Sequence, residues 1–107
     1  MQRHGSVVKV KPEWEEAYKQ IHAHTWAGVL EQITASNIRN YSIFLHNGYL
    51  FSYFEYVGEN FAEDMAKMAE DPITRAWWKF TDLCQEPVEG APAGTKWMPM
   101  EEVFHHG

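Results

Sequence analysis

A single cysteine, Cys84, stands in the 107 residues, so no internal disulfide can form and a secreted scaffold held by covalent staples is excluded. Long apolar runs are missing too. No uninterrupted hydrophobic stretch exceeds 3 residues, far short of a membrane span or a signal-peptide core. Positive charge is scarce, with 9 Lys and Arg against 15 Asp and Glu, a net charge of −6 and a pI near 5.4. The cations are scattered, which argues against nucleic acid and anionic membranes as partners. Gly90 and Gly94 sit among prolines rather than between a strand and a helix, so no phosphate loop is present, and no Gly-x-Ser-x-Gly elbow occurs. The opening Met1-Gln2-Arg3-His4-Gly5 lacks the character of a transit peptide. A soluble cytoplasmic protein is the expectation.

What is abundant is aromatic: 5 Trp, 5 Tyr and 6 Phe. Planar rings bury much area at low entropy cost, and they also stack on sugar faces or partner proteins. The length is below that of one average domain, so residues 1–107 are expected to form a single domain with one real core.

Ser6 to Lys11 is short and β-branched, a strand. Pro12 suits the first turn of a helix whose positive end is complemented by Glu13, Glu15 and Glu16. Helical spacing of apolar residues then runs from Trp14 to Ile33, weakened locally by Gly28. Ile38–Leu45 and Tyr49–Val57 read as strands joined at Asn47-Gly48, the strongest short hairpin signal. A two-residue loop there pairs His46 with Tyr49. It puts Tyr41, Ile43, Leu45, Leu50, Ser52 and Phe54 on one face, and Phe44, Phe51 and Tyr53 on the other. Both faces carry large apolar groups, so the face without helices needs a cover, for which a second subunit is the economical candidate. A helix starting near Glu59-Asn60 follows, then another capped by Asp71-Pro72 and running through Leu83. Gln85–Lys96 reads as a loop, and Trp97–His106 as a last, edge-lying strand. The order βαββαβ specifies an α+β, ferredoxin-like fold: an antiparallel sheet with helices on one face, two such sheets packing in a dimer.

Tyr18, His22 and Trp26 recur every fourth residue and so share one helical stripe. A histidine between a tyrosine and a tryptophan is a candidate acid/base centre, because its reference pKa near 6.5 suits proton transfer at neutral pH. It is equally a description of a histidine at a helix–sheet boundary with satisfied nitrogens. His22 and His24 point about 200° apart on a helix, and no histidine has the spacing of a strong zinc motif, so no metal is expected. Trp77 and Trp78 differ by about 100° around their helix, so at most one enters the core while the other forms a rim platform. Cys84 has no cationic sequence neighbour and is not expected to be a nucleophile. Glu101 and Glu102 fall on opposite strand faces and do not make a carboxylate pair.

Four strings together resemble the L-rhamnose mutarotase family, small sugar 1-epimerases with a dimeric α/β-barrel fold. They are Tyr18-Lys19-Gln20-Ile21-His22 with Trp26, Arg39 through Leu45, Asp71-Pro72-Ile73-Thr74 leading to Trp77-Trp78, and the tail Trp97 through His105. The resemblance implies that His22 is the proton donor and that Tyr18, Tyr41, Trp77 and Trp78 contact the sugar. It implies a homodimer acting on a monosaccharide, with no cofactor, since ring opening and closure move only protons. Ala27 stands where the family often has proline, and Ala76, preceded by Arg75, where it often has arginine. L-fucose and other 6-deoxyhexoses therefore stand beside L-rhamnose as implied substrates. A second class implied by the fold alone is a small-ligand or heme-binding protein, or a cofactor-free monooxygenase.

Overall fold

The computed structural model describes residues Met1–Gly107. Strand β1 (Gln2–Val10) leads through a 3-10 turn (Pro12–Trp14) into helices α1 (Glu15–Ala23) and α2 (Ala27–Ala35). Hairpin strands β2 (Ile38–His46) and β3 (Tyr49–Tyr56) follow, then helices α3 (Phe61–Glu70) and α4 (Pro72–Cys84). Two short strands, β4 (Gln85–Glu86) and β5 (Met98–Pro99), close the order. The sheet runs β2-β3-β1-β4, with β5 also paired to β1, and every pairing is antiparallel. This is the α+β arrangement expected from the sequence.

The hairpin turns where Asn47-Gly48 demands it. Both residues have positive φ, 51° and 78°, as a type I′ turn requires, and His46 pairs with Tyr49. Cross-strand register then fixes the faces: Leu45 meets Leu50, Ile43 meets Ser52, and on β1 Val8 meets Leu50. These side chains point toward the helices. The alternation breaks once, between Arg39 and Ser42, where two residues of β2 oppose the single Phe54. Asn40 occupies the irregularity with φ 51°, a conformation asparagine tolerates better than most residues. Because of that bulge, Ile38 and Tyr41, three apart, both face the helices.

The core gathers Val8, Val10, Tyr18, Leu50 and Cys84, with Ile43, Phe80 and Trp97 packed against it. Each fully buried valine or leucine there contributes about 1.5–3 kcal/mol relative to exposure. Helix ends are satisfied locally. Asp71 Oδ2 accepts from the Thr74 backbone N–H at 2.9 Å and from its hydroxyl at 2.8 Å, and Asn60 Oδ1 accepts from the Glu63 N–H at 3.1 Å. Tyr56 donates to Asp64, which also accepts from Asn37 Nδ2 at 3.0 Å, so the α2–β2 and β3–α3 junctions are tied together.

Two expectations are corrected. The helix expected from Trp14 to Ile33 is two helices: His24 ends α1 with ψ 52°, and Trp26 is extended at ψ 135° before α2 begins. The Thr25 hydroxyl donates to the His22 carbonyl at 3.1 Å, taking up a group the helix would have used. The long terminal strand is also absent. Its pairing shrinks to Met98–Pro99, since Pro99 has no N–H, and only the Met100 N–H donating to Gly5 O at 2.8 Å extends it. In compensation Gln85–Glu86, expected in a loop, pairs with Lys9 and Val10. The helix-free face of the sheet carries Phe44, 65% exposed, with Phe51 and Tyr53.

Candidate active site

Helix α1 supplies a preassembled pair. Tyr18 and His22 are one turn apart, and the His22 Nδ1–H donates to the Tyr18 backbone carbonyl at 2.8 Å. The two rings stack with centroids 4.1 Å apart. That bond fixes the tautomer and leaves Nε2 without a protein partner. Burial lowers the His22 pKa below its ordinary 6.5, with the carbonyl bond opposing in part, so the ring rests neutral at neutral pH.

Helix α4 brings up the opposite wall. Trp77 is buried, and its indole meets His22 edge-on at 5.1 Å and Trp26 at 5.2 Å. Trp78 lies 37% exposed at the rim, so one indole enters and the other flanks, as their 100° separation requires. Trp26 reaches Trp77 despite the break between α1 and α2. From the sheet, the β2 bulge delivers Tyr41, whose ring is partly exposed while the surrounding protein raises its pKa by desolvation.

These groups border a cleft with two chambers. The first, about 490 Å³, is lined by His22, Tyr41 and Trp77 together with Thr25, Asn40 and Ile43. The second, about 320 Å³, shares Tyr41 and Trp77 and adds Trp78, Ser52, Gln85 and Trp97. Either is large enough for a monosaccharide-sized ligand. Tyr18 lines neither. It is buried behind His22, and its hydroxyl accepts from Gln85 Nε2–H at 3.3 Å. Desolvation pushes the Tyr18 phenol well above its ordinary range, the Gln85 bond pulling the other way, so both phenols stay protonated at neutral pH.

Of the five residues expected at the site, His22, Tyr41 and Trp77 therefore share one chamber, Trp78 borders the next, and Tyr18 supports His22 from behind. Gln85 was not expected. It lay in a stretch without periodicity, and only its pairing with Val10 carries it inside. Asn40 gave no sequence signal beyond its residue type. No three His, Cys, Asp or Glu side chains converge as metal ligands.

A sequence profile described as L-rhamnose mutarotase matches residues 3–106. The chain belongs to the L-rhamnose mutarotase family. An L-rhamnose mutarotase of Bacillus subtilis is 37% identical over 108 residues, covering 98% of both chains. That of Listeria monocytogenes is 36% identical over 111 residues, again covering 98% of both. The crystal structure of an L-rhamnose mutarotase from Formosa agariphila covers 100% of both chains with a TM-score of 0.77 at 23% identity, a likeness of fold. A type-II polyketide cyclase from Streptomyces glaucescens shares the fold at a TM-score of 0.68 and 15% identity. The heme-handling or monooxygenase alternative finds no support among the mutarotase relatives.

Proposed function

We propose that this chain is a sugar isomerase that interconverts the α and β anomers of L-rhamnose, or of a closely related 6-deoxyhexose, by ring opening and closure. The observation that carries the chemistry is His22 itself, with Nδ1–H bonded to the Tyr18 carbonyl and Nε2 free at the wall of a chamber it shares with Tyr41 and Trp77.

A neutral ring begins as a base. Nε2 takes the proton of the C1 hydroxyl as the bond from C1 to the ring oxygen breaks and the C1 carbonyl forms. The imidazolium so produced then acts as the general acid and gives its proton to the ring oxygen. The open aldehyde turns about C1–C2, and the reverse transfers close the ring from the other face. Protons balance, no group leaves and no cofactor is called for. One imidazole can serve both oxygens because both are bonded to C1. Such catalysis supplies about 10²–10⁴-fold. Tyr41 orients a hydroxyl, Tyr18 holds the imidazole and its own hydroxyl in place, and Trp77 and Trp78 cover C–H faces and the 6-methyl.

The whole chain acts as one catalytic domain in this scheme, in the cytoplasm and as a homodimer built on the helix-free sheet face, where exposed Phe44 favours a partner. Sedimentation at micromolar concentration checks the dimer. The reaction is tested by saturation-transfer NMR between the two anomeric protons of L-rhamnose, with L-fucose in parallel. Protein-dependent exchange for either sugar supports the assignment, and the faster sugar is the preferred one. No acceleration of either refutes it.

A further inference from the structure

Ser6 on β1 and Ser52 on β3 are cross-strand partners, on the same helix-facing side of the sheet as Val8 and Leu50. Both line the second chamber, and neither borders the first, where His22 stands. Ser52 is only 6% exposed, and Ser6 is partly buried. Neither hydroxyl bonds to the other or to any other protein group, yet no buried side-chain oxygen is sealed off without a partner. The Ser52 hydroxyl therefore opens on the chamber itself, and a buried polar group there calls for a polar partner. The walls around the pair are largely apolar, Ile33, Met65 and Met68 among them. The one charged side chain at the border, Asp82, is paired with Lys96 at 3.6 Å.

An apolar chamber with two adjacent hydroxyls on its floor suits an uncharged ligand edge that both donates and accepts. Opposite side chains of an antiparallel pair stand about 4.5–5.5 Å apart at Cβ, so the two serines can hold neighbouring oxygens of one molecule. In a pyranose, the C3–C4 bond lies across the ring from C1 and the ring oxygen. A sugar whose C1 and ring oxygen meet His22 Nε2, and whose ring passes between the shared walls Tyr41 and Trp77, carries its C3–C4 edge into the second chamber. We infer that Ser6 and Ser52 form a polar subsite for the C3 and C4 hydroxyls of the sugar, an inference resting on the proposed mutarotase reaction. The pair acts away from the reacting atoms. It holds ground state and transition state alike, so it sets KM rather than kcat.

The test compares wild type, Ser52→Ala and the double variant Ser6→Ala/Ser52→Ala on L-rhamnose and its 2-, 3- and 4-deoxy analogues. Affinity is read by tryptophan fluorescence, since Trp77 lines both chambers, and turnover by anomer exchange. Ser52→Ala is expected to weaken L-rhamnose binding about 2- to 10-fold, the equivalent of one neutral hydrogen bond, and to raise KM alike with kcat within about 2-fold. The double variant is expected to lose about 2- to 10-fold more. The Ser52→Ala loss should persist on the 2-deoxy sugar. It should shrink to less than about 2-fold on the 3-deoxy or the 4-deoxy sugar, whichever lacks the oxygen that Ser52 holds. No loss in Ser52→Ala, no further loss in the double variant, equal losses on all four sugars, or coupling to the C2 hydroxyl instead would overturn the inference. A wild type that binds L-rhamnose without speeding its anomer exchange would sink the proposed reaction, and the affinity cycle would still decide the subsite. A wild type that neither binds nor converts any of the four sugars overturns both.

Discussion

Acid should switch the reaction off through His22, and the way it does so separates a base from an acid at rest. Burial holds the imidazole pKa below 6.5, so at pH 7.5 more than about 90% of the ring is neutral. The protein-dependent exchange rate, after subtraction of the spontaneous rate at each pH, should therefore be level from pH 7 to 8. It should fall with a midpoint below 6.5 and approach a tenfold loss per pH unit beneath that midpoint. His22→Gln keeps a side chain of similar reach but cannot shuttle a proton at these pH values. It should lose about 10²–10⁴-fold of the acceleration and flatten the profile. Stability runs in the same direction: the unfolded histidine takes up its proton near 6.5, the folded one only lower, so stability is full above 6.5 and declines as pH falls through that window. Circular dichroism at each pH shows that the fold persists where the rate is lost. An exchange rate that climbs steadily from pH 8 down through 6 would refute a neutral resting ring. Wild-type turnover in His22→Gln would refute its role altogether.

Gly58→Ala should destabilise the fold without touching the cleft, because the added Cβ would come within 2.7 Å of Asp64 Oδ2 and press on the Tyr56 hydroxyl. Overpacking of that kind costs about 1–3 kcal/mol, read as a lower urea midpoint, and an unchanged midpoint would show that the junction yields freely. The Asp64 carboxyl is held below its ordinary pKa first by the Tyr56 hydroxyl and then by Asn37. Its contribution is therefore present above the ordinary carboxylate range and lost as pH falls through it, so Asp64→Asn should flatten the acid limb of a stability–pH curve. Cys84 is 0% exposed and its thiol pKa is raised by burial, so a disulfide-exchange reagent should label it only on unfolding. Rapid labelling of the native protein would contradict that packing.

The hairpin, its register and the identity of the two sheet faces were legible because Asn47-Gly48 fixes a turn by backbone chemistry alone, and everything after it follows by alternation. The Asp71-Pro72 cap was legible for the same reason: both residues act within one turn of chain. The break at His24–Trp26 was not, since the periodicity of Tyr18, His22 and Trp26 continues unbroken through it and the competing hydroxyl of Thr25 becomes visible only with coordinates. The bulge at Asn40 was hidden too. Counting from the turn puts Tyr41 on the right face, but Ile38 joins it there only because one residue is inserted between them. The split of the far edge of β1 between Gln85–Glu86 and Met98–Pro99 is a long-range pairing that no local signal announces, and the burial of Gln85 depends on it.

The bond from His22 to the Tyr18 carbonyl makes α1 self-sufficient in a particular way. Many acid/base histidines depend on a carboxylate from a distant part of the chain to set their tautomer. Here the orienting group is the backbone of the preceding turn, and the ring that braces the imidazole belongs to the same residue as that carbonyl. No distant segment has to be inherited along with the histidine, and no buried acid has to be kept charged. The unit is a tyrosine and a histidine four positions apart on any helix that faces a cleft. Such a unit is portable: a designer could graft it onto an unrelated helical scaffold and obtain an oriented imidazole from two substitutions.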